Sequence, residues 1–168
     1  MEPDHVLLDD GRRVHLRPIH ADDTDALSAM HDGLSSLSVQ RRFLGALPHL
    51  SLPQAERFTH VDGRQRVALV AEVDGHLVAV GRYDRLDDDR VAELAVVVTD
   101  AFQHHGLGTA LVRVLSHHAR EHGVERFCAE VSADNRPMLH ALRDAGLPFT
   151  ASYSCGVASL DIPLPVPS

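Results

Sequence analysis

The chain has 168 residues, a formal net charge of −8 and 44% hydrophobic residues, values typical of one soluble globular domain with a single core. The negative charge disfavours nucleic acid as a partner, and no apolar stretch approaches the roughly 20 residues that span a bilayer. The first residues, MEPDHVLLDDGRR, lack the basic start and apolar run of a signal peptide, which predicts a cytoplasmic protein with no membrane partner.

The cysteines and histidines of the chain do not predict a disulfide scaffold or a metal site. Cys128 and Cys155 are the only cysteines; they cannot form a disulfide scaffold and are predicted to be small buried hydrophobic residues. Among the 13 histidines, His118 and His122 have i, i+4 spacing and could share a helix face. A zinc site needs three or four convergent ligands, so no metal is predicted.

The first half of the chain predicts one strand, several helices and a hairpin. RVHLRPI alternates like a strand, and ADDTDALSAMHDGL follows as a helix with Asp22 or Thr24 as its cap. SVQRRFLG and LPQAERFTHVD predict two shorter helices. RVALVAEV and HLVAVGRYD flank Asp74-Gly75, which is the strongest type of two-residue hairpin signal.

The second half predicts alternating strands and helices. RVAELAVVVTD is apolar almost throughout, which predicts a central strand covered on both faces. ALVRVLSHHAREHG has helical periodicity, VERFCAEVS is a strand, and ADNRPMLHALRDAG is a helix capped by Asp134 or Asn135. FTASYSCG and VASLDIPL predict a closing hairpin. The result is a mixed α/β domain over residues 1–168, with its core at about 12–162 and an extended tail at 163–168.

The stretch QHHGLGT, Gln103 to Thr109, lies where a predicted strand leads into a predicted helix. The first turn of a helix leaves N–H groups unpaired, and together with the helix dipole they form a site for phosphate. Gly106 and Gly108 have no Cβ to block the approach, and Leu107 between them can point into the core. Thr109, His104 and His105 can add side-chain donors. A plain tight turn is the alternative interpretation.

Gln103-His-His-Gly106-Leu-Gly108 resembles the Gln/Arg-x-x-Gly-x-Gly/Ala signature of the GNAT acyl-CoA N-acyltransferases, and the predicted element order resembles theirs as well. SVQRRFLG, AELAVVVTDAFQHHGLG and ADNRPMLHALRDAG further resemble the acetyltransferase domain of bacterial Pat-type protein lysine acetyltransferases. The resemblance implies a mostly antiparallel central sheet with a splayed parallel strand pair and flanking helices. It implies acetyl-CoA as cosubstrate and no metal.

The resemblance also implies roles for particular residues. The amides of Gln103, His104, His105, Gly106, Leu107, Gly108 and Thr109 would bind the pyrophosphate, and the backbone of Val96 and Val98 would bind the pantetheine arm beside a bulge in the strand. Asn135 would contact the pantetheine, with a simple helix cap as the alternative. Glu93, a charge inside an apolar strand, would be the general base; its alternative is a structural ion pair with an arginine such as Arg82.

One position departs from the resemblance. Many members have a tyrosine that protonates the CoA thiolate, and the matching residue here is Leu142, which leaves Tyr83, Tyr153 and Ser132 as substitutes. Three hypotheses remain open: acetylation of a protein lysine, such as one of an acyl-CoA synthetase; acetylation of a small amine; and a non-catalytic acyl-CoA sensor. The chain is expected to be a monomer or homodimer.

Overall fold

The structure, a computed structural model, describes residue 1 and residues 4–166. Its strands are β1 (Asp4–Leu7), β2 (Arg13–Pro18), β3 (Arg66–Val73), β4 (His76–Arg85), β5 (Val91–Val98), β6 (Arg126–Ser132), β7 (Thr150–Ser154) and β8 (Val157–Pro163). Its helices are α1 (Thr24–Asp32), α2 (Ser36–Phe43), α3 (Leu52–Thr59), α4 (Leu107–Glu121) and α5 (Arg136–Asp144), with 3₁₀ turns at Ala21–Asp23 and Asp100–Phe102.

The eight strands form one sheet in the order β1-β2-β3-β4-β5-β6-β8-β7. Every neighbouring pair is antiparallel except β5 and β6, which run parallel. The mixed α/β class with one parallel pair is therefore confirmed. The predicted element order is confirmed too, with β1 as an added edge strand.

The hairpin between β3 and β4 forms where the sequence predicts it. Asp74 and Gly75 have φ angles of 50° and 80°, the left-handed pair that matches the twist of two-residue hairpins. At Gly81 in β4, an added Cβ would lie 2.8 Å from Leu115 of α4. This glycine therefore allows α4 to pack closely on the sheet.

Helices cover both faces of the sheet and create two apolar cores. The larger core includes side chains of α4 and α5, such as Leu111, Leu115 and Leu142. The smaller core lies on the other face, where Leu27 and Met30 of α1 pack on Val70 and Val80. The sheet is thus a platform between two helical layers.

Several predicted details are wrong. Neither Asp22 nor Thr24 caps α1 through its side chain, because a 3₁₀ turn precedes the helix. Cys155 is exposed in the turn between β7 and β8 at the sheet edge, and Cys128 of β6 is only half-buried. The extended tail at 163–168 stays a prediction: Leu164 is 5% exposed and its N–H donates to the Glu125 carbonyl, and Pro167 and Ser168 lie outside the described residues. No described helix is long and apolar enough to span a membrane.

Candidate active site

The parallel strands β5 and β6 diverge and open the sheet. They pair only where Val91, Ala92 and Glu93 face Arg126, Phe127 and Cys128, although β5 continues to Val98 and β6 to Ser132. The predicted central strand is therefore not covered throughout, and Ala95 to Val98 are half-buried. The divergence gives one backbone edge of β5 no neighbouring strand.

The pairing of β5 with β4 fixes which backbone groups face this opening. The N–H of Thr99 donates to Val78, and the N–H of Leu86 donates to Val91. Because hydrogen-bonded and non-bonded positions alternate along an antiparallel pair, the odd-numbered residues of β5 bond to β4. The N–H and C=O groups of Val96 and Val98 consequently point into the opening. The expected bulge is absent, since the β4–β5 register runs without a shift.

The glycine-containing loop lies next to this edge. Gly106 has φ 91° and is the N-cap of α4, so the N–H groups of Leu107, Gly108 and Thr109 form the free first turn. Leu107 is 1% exposed and packs in the core. A Cβ on Gly108 would lie 3.7 Å from Ala141 and 4.0 Å from Val98, so this glycine sits between α5 and the open strand.

Two side chains of the loop make hydrogen bonds that the sequence does not predict. Gln103 donates from Nε2 to the Val98 carbonyl (2.9 Å) and to Ser38 Oγ (3.0 Å), which ties the loop to β5 and α2. His105 bonds through Nδ1 to Asp9 at 2.7 Å. Of the two histidines, only His104 borders the cavity described next.

A cavity of about 550 Å³ extends along β5, between α2 and the first turns of α4 and α5. Its walls include Val96, Val98, Gln103, His104, Gly106, Gly108, Thr109 and Asn135. Three arginines border it, Arg41, Arg42 and Arg136, against two aspartates, Asp9 and Asp144. In a chain of net charge −8, this local excess of cations suits an anionic ligand.

Asn135 is both the N-cap of α5 and a residue in the wall of the large cavity. Its Oδ1 accepts a hydrogen bond from the Met138 N–H at 3.2 Å, at the start of α5. Its side chain also borders the large cavity. The amide nitrogen is therefore the part of Asn135 that can bind a ligand.

Glu93 lies on the opposite side of the opening, at the point where β5 and β6 separate. Its side chain is exposed and not buried, and it borders a second cavity of about 230 Å³ together with Glu130, Arg41 and Arg42. The alternative of an ion pair with Arg82 is not observed, since Arg82 is 5% exposed and donates to the Phe58 carbonyl. Glu93 is thus a carboxylate open to a ligand arriving from solvent.

Glu93 belongs to a row of mostly acidic side chains, although Arg41 and Arg42 border the same cavity. The strand registers align Asp84, Glu93, Cys128 and Asp161 in one row across the sheet. Burial raises the pKa of the Cys128 thiol, and the carboxylates of Glu93, Glu130 and Asp161 raise it further. The thiol is therefore held protonated in an environment that favours cations.

The position at which the resemblance implies a proton-donating tyrosine is occupied by a leucine of the apolar core. Leu142 is 0% exposed. Tyr83 is equally buried and its hydroxyl bonds to His118 Nδ1 at 2.8 Å, while Tyr153 is 63% exposed in β7. Ser132 donates to Asp134 at 2.6 Å. None of these three lines the large cavity in the described part of the chain.

The histidines at the C-terminal end of α4, where His122 is the C-cap, are not arranged as a metal site. His118 and His122 stack with ring centroids 4.1 Å apart, and His122 Nδ1 bonds to the His118 carbonyl. Burial lowers the pKa of His118 to about 4. Within residues 4–166, the one cluster with three potential ligands is Asp9, Asp10 and His105, where the β1–β2 turn holds the loop.

Comparison with known proteins identifies the family. The sequence profile of the Acetyltransferase (GNAT) family matches residues 37–147. The chain is 34% identical over 144 residues to Acetyltransferase PA5475 of Pseudomonas aeruginosa, covering 82% of this chain and 77% of that protein. The crystal structure of the GNAT domain of S. lividans PAT is 36% identical, with a TM-score of 0.89 and coverage of 96% and 97%.

The spermidine N-acetyltransferase of Vibrio cholerae, solved with CoA and spermine, has the same fold at 14% identity, with a TM-score of 0.69 and coverage of 90% and 95%. Fold, site and relatives together define an acetyltransferase. The chain belongs to the GNAT family.

Proposed function

We propose that this acetyltransferase transfers the acetyl group of acetyl-CoA to the ε-amine of a protein lysine, with an acyl-CoA synthetase as the candidate acceptor. The observation that carries the proposal is the opening between β5 and β6. On one side it has free amides and a cation-rich cavity, and on the other an exposed carboxylate in an acidic row.

The cosubstrate is proposed to bind by its backbone contacts. The first-turn amides of Leu107, Gly108 and Thr109 receive the pyrophosphate at the positive end of α4. The pantetheine arm lies along β5 like an added strand, bonding to Val96 and Val98. Gln103 already donates to the Val98 carbonyl, and the Val96 N–H is assigned to the thioester oxygen. The groups that bind the pantetheine arm are therefore the Val98 N–H and the Val96 carbonyl.

The chemistry requires a proton acceptor. A lysine amine has an ordinary pKa of about 10.4 and arrives protonated. Glu93 removes one proton, directly or through water, and the nitrogen lone pair then forms the C–N bond at the thioester carbon. The Val96 N–H stabilises the oxyanion, the C–S bond breaks as the thiolate leaves, and the second proton that the nitrogen must lose passes to this thiolate. A thiolate is a good leaving group near neutral pH, so a buried Leu142 does not prevent this step.

The acceptor side supports a cationic substrate. Glu93 and Glu130 border the second cavity opposite Arg41 and Arg42, and Asp84 and Asp161 outside it continue the acidic row on strands β4 and β8, so carboxylates outnumber arginines around Glu93. These carboxylates attract a protonated amine before the reaction. The resemblance of the sequence to Pat-type protein lysine acetyltransferases supports a protein as the acceptor, and the chain is 36% identical to the GNAT domain of S. lividans PAT.

The test is incubation with acetyl-CoA and an acyl-CoA synthetase, followed by mass spectrometry of its lysines. A gain of acetyl groups that depends on the enzyme is expected. In parallel, spermidine and free lysine are offered as small amines. Acetylation of a small amine without any on the synthetase would reject the proposed acceptor, and CoA binding without any transfer would reject catalysis by this site.

A further inference from the structure

A third, smaller cavity lies beside the active site, between α1, α3 and the sheet. Its volume is about 30 Å³, and its walls are mainly apolar, including Leu27, Met30, Phe58 and Val80. Two cationic side chains, Arg42 and Arg82, also border it. An apolar cavity with arginines in its wall is unusual, because a buried charge without a partner is costly.

Arg82 is the buried member of this pair. It is 5% exposed, its Nη2 donates to the Phe58 carbonyl at 2.9 Å, and its guanidinium lies 4.6 Å from the Phe58 ring centroid. Its Nη1 is buried without a hydrogen-bond partner among the described residues. Burial, together with the charge of Arg42, lowers the pKa of Arg82 to about 10. The group is still protonated at neutral pH and has one donor nitrogen unused.

The neighbouring acids do not occupy this nitrogen. Asp84 lies 3.9 Å from Arg66 Nε without a hydrogen bond, and its Oδ1 is itself buried without a partner among the described residues; Glu93 faces the second cavity. No ion pair with a carboxylate is formed by Arg42 or Arg82 within the described residues. In the part of the chain that the structure describes, the walls of the small cavity therefore contain two arginines and no carboxylate, and the nearby charges of Asp84 and Glu93 offset part of the positive charge.

The size of the cavity limits the anion. A water molecule needs roughly 10–15 Å³ of such volume, so 30 Å³ holds a group with about two oxygen atoms. A carboxylate fits this space and matches the planar donor fork of arginine. A phosphate, with four oxygens, does not fit. The carboxylate fills this space, so the methylene stem that carries it lies in the adjoining cavity.

The small cavity adjoins the cosubstrate site. Arg42 and Val97 border both the small cavity and the 550 Å³ cavity, and Arg42 also borders the cavity that contains Glu93. We propose that Arg82, with Arg42, binds a carboxylate at the end of a short apolar stem that reaches in from the reacting centre. The inference deepens the proposed function and rests on it, because the carboxylate belongs either to the acyl group of the CoA thioester or to the amine acceptor.

Two arms of one experiment distinguish these sources. In the first, calorimetry compares the binding affinity of succinyl-CoA with that of butyryl-CoA, whose acyl group has the same number of carbons but no charge. In the second, acetyl transfer is compared between 5-aminopentanoate and 5-aminopentanamide. We expect a preference of at least about tenfold for the carboxylate in one arm, as for one charge-assisted hydrogen bond.

Substitution of Arg82 tests the assignment. Arg82→Met and Arg82→Gln are expected to reduce the preference to less than about twofold, while acetyl-CoA binding stays as in the wild type. The control, Arg13→Gln, changes an exposed arginine of β2 and retains the preference. Melting temperatures show whether each variant is folded, and if neither Arg82 variant folds, the wild-type comparison decides alone.

The proposal is overturned if the wild type shows no preference in either arm, or if a folded Arg82 variant retains it. If acyl-CoA does not bind at all, the proposed function fails separately. The cavity is then tested with free propionate against propionamide, through the Arg82 Nε–H resonance in an NMR spectrum. A shift with propionate alone supports the carboxylate site, and equal spectra reject it.

Discussion

Replacing Gly106 with alanine separates the strain of the loop from its role in binding. Gly106 has φ 91°, and an added Cβ would meet no atom within 4 Å. The folding cost is therefore backbone strain alone, about 1–2 kcal/mol for a non-glycine residue in the left-handed region. For a chain of this length, that cost corresponds to a fall in Tm of roughly 2–8 °C.

The effect on the cosubstrate is expected to be larger than strain alone explains. Gly106 borders the 550 Å³ cavity and precedes the free amides of α4, so a methyl group and the backbone adjustment around it disturb the proposed phosphate contacts. Loss of one hydrogen bond from a backbone N–H to a charged phosphate costs about 1.5–3 kcal/mol of binding free energy, which weakens CoA binding at least about tenfold.

Gly75→Ala is the matched control. Gly75 has φ 80° and also has no atom within 4 Å of an added Cβ, but it lies in the β3–β4 turn and borders none of the three described cavities. Thermal melts should show similar losses for both variants, and calorimetry should show weaker CoA binding only for Gly106→Ala. Equal CoA affinity in the two variants would refute the reasoning.

Three further changes have defined outcomes. Glu93→Gln is expected to lower kcat by about 10²–10⁴-fold, the usual contribution of a general base, with little change in Tm because Glu93 is exposed; steady-state kinetics and calorimetry with CoA measure both effects. Asn135→Ala is expected to destabilise the fold by about 1 kcal/mol through loss of the α5 cap and also to weaken CoA binding, as shown by denaturation and calorimetry. His118→Gln is expected to reduce the fall in the free energy of unfolding as the pH is lowered. Because the folded-state pKa of His118 is about 4 and its ordinary value is about 6.5, the unfolded chain binds the extra proton between these values, and wild-type stability falls as pH drops through that window. The loss is on the order of 1 kcal/mol after allowance for solvent screening, measured by urea denaturation at each pH.

Each of these changes has a control and a contrary result. Glu130→Gln neutralises a carboxylate of the same cavity, and kcat values that fall equally in both variants would exclude Glu93 as the base. Asn135→Asp retains an N-cap oxygen but not the amide nitrogen, so CoA affinity equal to wild type in this variant contradicts a contact through that nitrogen. His117→Gln alters the exposed neighbouring histidine, and an unchanged fall in the free energy of unfolding at low pH in His118→Gln argues against His118 as its source.

The sequence determines the elements whose signals are local. Asp74-Gly75 fixes a hairpin through its left-handed conformation. Asn135 and the following proline define the start of α5. Gly106 is the N-cap of α4 and has no side chain to cover the free N–H groups of the first turn. Such features depend on a few consecutive residues, so a pattern of residue types is enough to predict them. Strand β1, with only four largely exposed residues, lacks that pattern and was missed.

Only the tertiary structure decides which side chains meet. It leaves Glu93 exposed where β5 and β6 separate, opens the sheet without a bulge, and commits Gln103 to Val98 and His105 to Asp9. It also brings Arg82 of β4 and Arg42 of α2 to one cavity. These relations join residues far apart in the chain. They follow from strand register and helix packing across the whole sheet, which no local spacing encodes.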